Sequence, residues 1–191
     1  MKKVLFLMVL LVVCSPLSAA ADPFSYPVKT IILDAGHGGH DPGASYAWSF
    51  AGGTVYERDL TLDITKRLHA LLAVSHPDLQ LVMTRSDDTY LTLEQRCEVA
   101  YSQSLKPQSS ALFVSIHVNS AQTKEASGFE ILTKQQNKRV TFLDEKTPIE
   151  NISLFSSHSL LSLNRLLNHR NLVVASNFEK TLSERLVTSR N

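Results

Sequence analysis

Two histidines follow apolar runs in this chain, and each stands where a buried strand would end. Ile31–Leu33 leads through a glycine-rich stretch to His37, and Ala111–Ile116 runs directly into His117. Six of the seven glycines lie between residues 36 and 53, where a chain without side chains can approach a ligand closely. Two strands that each deliver a histidine at the carboxyl edge of a sheet are suited to build a metal or catalytic site there.

Glu57 is the third candidate, because it opens a helical pattern and carries a carboxylate. Hydrolytic zinc sites use three protein ligands, mostly histidine and glutamate, and leave a further position to water. His37, Glu57 and His117 supply that donor set. Each residue also has a structural interpretation. Glu57 would stabilise the amino terminus of its helix, and a lone histidine at a strand end is more often a satisfied part of the core.

The apolar periodicity predicts a single α/β domain with a central, mostly parallel sheet and helices on both faces. One helix would run from Glu57 to about Ala73, and Thr92 with Gln95 forms a capping box that opens a second helix to about Ser102. The first helix would bury Leu60, Ile64, Leu68 and Leu71, and the predicted strands are Val28–Leu33, Leu79–Thr84, Ala111–Ile116 and Gly128–Thr133.

The last third of the chain has weaker patterns. Lys134–Asn151 is polar and aperiodic, which predicts a surface loop, and Ile152–Leu167 is serine- and leucine-rich, which predicts a helix. Residues 28–191 would form the domain, with an insertion at 134–176. Asn177 would cap a last helix with a shared face of Phe178, Leu182 and Leu186.

Residues 1–21 have the pattern of a secretory signal peptide: two lysines, the apolar run Val4–Val13, and the small residues Ser18–Ala21. We therefore expect an exported protein of the periplasm or cell envelope. The apolar run is too short to span a bilayer, and no other segment is long and apolar enough to do so. A lipoprotein acylated at Cys14 is less favoured, because the valine before it is large for such a processing site.

The charge balance argues against nucleic acid as a partner. The chain has 19 basic side chains, of which Lys2 and Lys3 belong to the predicted signal peptide, so 17 remain against 18 acidic ones. Nucleic-acid binding needs a basic surface. Cys97 is the one cysteine after the signal peptide, so no internal disulfide is expected, and its helical context predicts a small buried hydrophobe.

Four blocks of this sequence resemble, in order, the zinc-dependent N-acetylmuramoyl-L-alanine amidases of bacterial cell-wall turnover. The resemblance extends over residues 30–133 and is specific, because the blocks carry all three candidate ligands. Gly128–Glu130 also resembles the short strand that follows in that family. The blocks are Ile32–Ala44 (ILDAGHGGHDPGA), Glu57–Ile64 (ERDLTLDI), Thr84–Arg96 (TRSDDTYLTLEQR) and Phe113–Ala121 (FVSIHVNSA).

The resemblance implies that His37, Glu57 and His117 bind Zn²⁺. It also implies hydrolysis of the amide between N-acetylmuramic acid and L-alanine of the peptidoglycan stem peptide. Asp34 would either orient His37 by a hydrogen bond or cap the glycine turn. Asn119, on the same strand face as His117, would meet the substrate.

Other polar residues of these blocks would have structural roles. Arg85 and Arg96 would hold the block Thr84–Arg96 (the middle block) together by hydrogen bonds to backbone or carboxylates. Contact with stem-peptide carboxylates is the less favoured alternative. His40 would be a solvated loop residue, and Asp41–Gly43 a turn without chemistry of its own.

The family closes with a buried strand whose glutamate is the general base, and no stretch of this sequence resembles that block. Glu179 and Glu184 occupy polar positions of the predicted last helix, so we assign no catalytic residue. The sequence therefore predicts a truncated or frameshifted amidase, or one that uses another base. The alternative function is a catalytically impaired module that binds zinc and peptidoglycan without cleaving it.

A second departure from the family is the length of the insertion at 134–176. Some members carry a helix there that covers the zinc site until a partner removes it. The resemblance therefore implies an activating protein that acts on this insertion, in which Ile152–Leu167 would be the covering helix. A loosely packed surface excursion is the alternative interpretation.

Overall fold

The computed structural model describes residues 22–48, 53–121, 128–133, 141–147, 149 and 153–185. The predicted signal peptide and the predicted face residue Leu186 lie outside the described residues. Within the described ranges, no helix has both the length and the apolar character needed to cross a bilayer. In chain order the elements are β1 (Val28–Ala35), β2 (Ser45–Trp48), β3 (Gly53–Tyr56), α1 (Glu57–Ser75), β4 (Gln80–Met83), α2 (Leu93–Tyr101), β5 (Ser110–Ile116), a short 3-10 helix (Ser153–Phe155) and α3 (Leu160–Arg185).

A three-stranded parallel sheet, in the order β4-β1-β5, forms the centre of the fold. Both pairings of β1 are parallel, and Ala35 at the end of β1 lies opposite Ile116 at the end of β5. The carboxyl ends of these two strands therefore meet at one edge, from which the chain leads to His37 and His117. The predicted α/β class, with a parallel sheet flanked by helices, is confirmed.

The core is centred on β1. Ile32 and Leu33 are 2% and 1% exposed, and Ala35 is fully buried. The strand β1 forms around the apolar run Ile31–Leu33, which ends just before the glycine loop (residues 36–43), and such a run is typical of parallel strands covered on both faces. The edge strand β5 is less covered, and Phe113 on it is exposed.

The helix α1 contacts the sheet through a polar face. Its buried residues are Glu57, Thr61 and Thr65, which are spaced four apart and lie on one side of the helix. Ile64 and Leu71 are 43% and 68% exposed, so the prediction of a buried leucine face is wrong. The reason is hydrogen bonding, since Thr61 donates to a main-chain carbonyl of the glycine loop, and apolar periodicity does not register such a contact.

Two further elements differ from the prediction. The strands β2 and β3 form an antiparallel hairpin, with Ser45 opposite Tyr56, that was not predicted. Residues 128–133 were predicted as a strand but have no regular structure. Apolar residues favour an extended backbone, but a strand also requires a partner for its main-chain groups. Among the described residues, no strand forms sheet pairing with residues 128–133.

The helix α2 begins at the predicted capping box. The Thr92 side chain accepts from the Gln95 amide, and the Gln95 side chain accepts from the Thr92 amide. Cys97 on this helix is exposed, so its predicted burial is wrong. The buried residue of α2 is instead Arg96, whose charged end is satisfied by hydrogen bonds described below.

The helix α3 is one continuous element. The prediction of a helix in Ile152–Leu167 is confirmed for the later part of that segment. Asn177, however, lies in the interior of α3 and is not an N-cap. Ser159 precedes the helix, and its hydroxyl accepts from the Ser162 amide (3.2 Å), a typical N-cap contact. An N-cap needs non-helical backbone, which the uninterrupted pattern around Asn177 does not allow.

The helix α3 is held by contacts with residues 142–143 and with Asp22. Asn164 accepts from the Phe142 and Leu143 amides (2.6 and 2.9 Å). Arg170 pairs with Asp22 at 2.7 Å. A cavity of about 340 Å³ lies between the start of α3 and residues 141–147, and its lining includes none of the three candidate ligands.

Candidate metal centre

The three candidate ligands come together at the carboxyl edge of the sheet. Glu57 Oε1 lies 3.1 Å from His37 Nε2 and 3.1 Å from His117 Nδ1. Each residue offers one donor atom, and these three atoms all lie within 4.8 Å of one another. The two imidazole rings meet edge to face, with centroids 4.8 Å apart. Among the described residues, the structure therefore assembles the donors that the sequence analysis selected.

Glycines allow the backbone to wrap closely around these ligands. A Cβ atom added at Gly36 would lie 2.6 Å from His117 Nε2, and one added at Gly43 would lie 2.6 Å from His37 Cδ2. Both distances are too short for a side chain. His37 itself has a left-handed backbone (φ 61°), which bends the loop around the cluster.

Glu57 is held as an ionised carboxylate. Its Oε2 accepts from the Ala44 amide (2.9 Å) and its Oε1 from the Val118 amide (3.0 Å). Burial on its own raises the pKa of the Glu57 carboxyl, but these two amide hydrogen bonds, the hydrogen bond of His117 and the charge interaction with His37 hold it below its ordinary value. The residue is 8% exposed, so its orientation is fixed before any ligand binds.

Asp41 contacts the imidazole ring of His37. Its Oδ2 lies 2.9 Å from His37 Nδ1, while its Oδ1 accepts from the Gly43 amide (3.1 Å). The His37 hydrogen bond is the main reason why the pKa of Asp41 lies below its ordinary value. Asp41–Gly43 forms the predicted turn, and the contact of Asp41 with His37 was not predicted. The sequence signal was available, because a tight glycine turn brings residues four apart into contact.

Asp34 has a different role from either that was predicted. Its carboxylate accepts from Thr84 (2.7 Å), Ser115 (2.6 Å) and Arg96 (2.6 Å), and none of its described contacts is to His37. Burial raises the pKa of Asp34, but these three hydrogen bonds outweigh burial and lower it. Asp34 thus anchors the loop indirectly, through the arginine that it fixes.

Arg96 and Arg85 donate to carbonyls within the middle block, at Leu91 and Asp87, as expected. Both also bind carbonyls at the end of β1 and in the glycine loop, which was not expected. Arg96 donates to the Ala35 and His37 carbonyls (2.7 and 2.8 Å). Arg85 donates to the Ala35 and Gly36 carbonyls (3.0 and 2.8 Å). Charged donors to buried carbonyls make strong hydrogen bonds. These two side chains therefore set the path of the loop that presents His37.

Two pairs of side chains lie on the same loops outside the cluster. His40 is exposed, as predicted, and its ring contacts Tyr90 with centroids 3.9 Å apart. Asn119 donates to the Glu130 carboxylate (3.0 Å), and both are exposed. The contact between Asn119 and Glu130 was not predicted, because it depends on how residues 128–130 return to the end of β5.

The donor set fits a zinc ion. Two imidazole nitrogens and one carboxylate oxygen are the ligands of many hydrolytic zinc sites, which keep a further position open. The His117 side chain is 48% exposed and that of His37 is 21% exposed, so the cluster is open to solvent on one side. An opening of this kind admits water and a substrate.

The fold and the cluster define an α/β domain with a candidate metal centre at the carboxyl edge of its sheet. Residues 31–185 match the model of the N-acetylmuramoyl-L-alanine amidase family. The chain therefore belongs to this family, and the family resemblance of the sequence blocks is confirmed.

Parts of this chain are also similar to individual proteins. The chain is 38% identical over 116 residues to the uncharacterized protein YqiI of Bacillus subtilis, covering 61% of this chain and 48% of that one. It is 34% identical over 108 residues to the probable N-acetylmuramoyl-L-alanine amidase AmiB of Haemophilus influenzae, covering 56% and 22%. A solved catalytic domain, that of the N-acetylmuramoyl-L-alanine amidase CwlV from Bacillus (Paenibacillus) polymyxa, is 35% identical over 52% of this chain and 50% of that one, with a TM-score of 0.42. The matched part thus spans about half the length of these relatives or less.

Proposed function

We propose that this protein is a zinc-dependent N-acetylmuramoyl-L-alanine amidase, with His37, Glu57 and His117 as the zinc ligands. The observation that carries the proposal is the convergence of these three donors within 4.8 Å, in a chain of the amidase family. The substrate would be the amide between N-acetylmuramic acid and L-alanine of the peptidoglycan stem peptide.

The residues of this chain would prepare the site before the substrate arrives. His37, Glu57 and His117 would hold a zinc ion, which would supply Lewis-acid chemistry, with polarisation of a carbonyl and a lower pKa of a bound water. Glu57 contributes a negative charge whose position two backbone amides fix. The exposed side of His117 leaves room for an extended glycan–peptide substrate. Arg85 and Arg96 keep the loop of His37 in place without reaching the reacting atoms.

The base that would take the proton from water would be a carboxylate close to the cluster. Glu57 and Asp41 are the carboxylates in contact with the cluster, and both use their two oxygens in hydrogen bonds. Glu130, which is exposed and hydrogen-bonded to Asn119 near the end of β5, is the first candidate to test. Because both oxygens of Glu57 and of Asp41 are used in hydrogen bonds, a second candidate function is also favoured. It is a module that binds zinc and peptidoglycan without cleaving it.

The test uses purified peptidoglycan and two readouts, release of L-alanine-terminated stem peptides and sedimentation of the protein with the polymer. His117→Ala removes one proposed ligand. His76→Ala is the matched control, because His76 is an exposed histidine just beyond the far end of α1. We expect hydrolysis by the wild type and His76→Ala, and a loss of at least about a hundredfold in His117→Ala.

The outcomes separate the two candidate functions. Sedimentation without hydrolysis by the wild type would support the binding module. Equal hydrolysis by the wild type and His117→Ala would contradict the proposed ligand set. A wild type that neither sediments with peptidoglycan nor hydrolyses it would contradict both functions.

The proposal includes export, with residues 1–21 as a signal peptide and the periplasm or cell envelope as the destination. Amino-terminal sequencing of protein recovered from the envelope fraction should begin within residues 20–22. A product that retains Met1 would contradict export by cleavage.

An activating protein that acts on the 134–176 insertion also stays a proposal. Deletion of 151–169 should then speed zinc removal by a chelator, and an unchanged rate in a folded variant would count against it.

A further inference from the structure

Asp41 uses its two carboxylate oxygens for two different tasks. Oδ1 accepts from the Gly43 amide (3.1 Å) and shapes the turn. Oδ2 faces His37 Nδ1 at 2.9 Å. The backbone holds the carboxylate in place, because Gly38 and Asp41 exchange two main-chain hydrogen bonds of 2.9 and 3.1 Å. The contact with the imidazole is therefore part of a closed loop and does not depend on a freely rotating side chain.

We propose that Asp41 is a positioning residue that fixes the proton of His37 on Nδ1 and so presents Nε2 to the metal. This inference rests on the zinc centre of the proposed function. At 2.9 Å the Asp41 carboxylate oxygen is the acceptor of a hydrogen bond, so His37 Nδ1 carries the hydrogen. A neutral imidazole has one ring hydrogen, and with that hydrogen on Nδ1 the lone pair is on Nε2. Nε2 is the nitrogen that faces Glu57, 3.1 Å away, inside the cluster.

A purely structural role for Asp41 is the competing interpretation, and the two oxygens allow it to be separated from the positioning role. An amide at this position has one acceptor and one donor group. If its oxygen keeps the Gly43 contact, its nitrogen faces His37 Nδ1 and favours the tautomer with hydrogen on Nε2, where the metal must bind. If it turns over, the Gly43 contact is lost and the donor groups oppose each other. Asp41→Asn therefore keeps the size and the turn but cannot satisfy both partners.

The first experiment measures zinc affinity by competition with a chromophoric chelator. Partners that orient a metal-bound histidine typically contribute about 10–100-fold in affinity, so we expect Asp41→Asn to raise the zinc dissociation constant by about that factor. Asp88→Asn is the matched control. Asp88 is an exposed aspartate that accepts from an amide of the same loop, at Gly39 (2.8 Å), and it does not contact either imidazole of the cluster. Equal affinities of Asp41→Asn and Asp88→Asn would overturn the inference.

The second experiment uses nitrogen-15 NMR of the ring nitrogens in the zinc-loaded wild type, so it does not depend on the folding of a variant. We expect His37 to show hydrogen on Nδ1 and metal on Nε2. Metal on Nδ1, or no hydrogen on Nδ1, would overturn the inference, because Asp41 would then have no ring hydrogen to accept. Failure of the zinc centre itself is distinguishable, because His117→Ala would then retain the zinc of the wild type.

Discussion

Replacing Arg96 with alanine is expected to destabilise the domain more than any exposed substitution, because it removes the charged partner of a buried carboxylate and donors to two loop carbonyls. Arg96 is 7% exposed and Asp34 is 4% exposed, and their ion pair is 2.6 Å long. Arg96 also donates to the carbonyls of Ala35 and His37. Removing the side chain leaves the Asp34 charge buried with only two hydroxyl donors, those of Thr84 and Ser115.

The size of the effect follows from the burial of both partners. Removing one member of a buried, hydrogen-bonded ion pair costs about 3–5 kcal/mol. The ion pair of Arg67 with Asp63 provides the contrast, because both side chains are more than half exposed and the pair lies four residues apart on α1. Exposed pairs of this kind contribute about 0–1 kcal/mol. Since domains are stable by about 5–15 kcal/mol, the Arg96 effect is a large part of the total.

The assay is urea unfolding at neutral pH, followed by circular dichroism. With a slope of about 1–3 kcal/mol per molar urea, Arg96→Ala should lower the midpoint by about 1 M or more, and Arg67→Ala should leave it nearly unchanged. A loss of less than about 1 kcal/mol in Arg96→Ala would refute the reasoning. It would mean that solvent reaches Asp34 and that the loop does not need its arginine.

Two other predictions concern the glycine loop and acid stability. Gly36→Ala should raise the zinc dissociation constant at least about tenfold in a folded protein, because the new Cβ would displace the His117 ring; Gly53→Ala, which meets no atom within 4 Å, should bind zinc as the wild type does. Because the pKa of Asp34 is lower in the folded state, its ionisation stabilises the fold above about pH 4 and this contribution is lost as the pH falls through the folded-state pKa. The stability difference between wild type and Asp34→Asn should therefore shrink between pH 6 and pH 3, and a difference independent of pH would contradict this.

Much of the fold could be predicted because its strongest signals are local. The strands β1 and β5 contain the apolar runs Ile31–Leu33 and Ala111–Val114. Parallel pairing brings the ends of both strands, and so both histidines, to the same edge. The start of α2 was predicted from a capping box, which is a contact within four residues. The three ligand positions followed from the same local signals together with the family resemblance.

The parts that could not be predicted depend on contacts between distant residues. Thr61 and Thr65 are buried because Thr61 meets the backbone of the glycine loop, 25 residues earlier in the chain. Asp34 was expected to serve His37, three residues away, but its partners Thr84 and Ser115 are 50 and 81 residues away. Hydrophobic periodicity carries no information about such polar contacts. The hydrogen bonds that hold the site in place therefore could not be predicted from the sequence.

The most direct test of the central claim is the zinc content of the purified protein, measured by mass spectrometry of the metal alongside the protein concentration. We predict one zinc ion per chain in the wild type and in His76→Ala, and a much reduced content in His37→Ala and His117→Ala. Melting curves would show that the variants remain folded. Stoichiometric zinc retained in both His37→Ala and His117→Ala would contradict the assignment of this cluster as the metal centre.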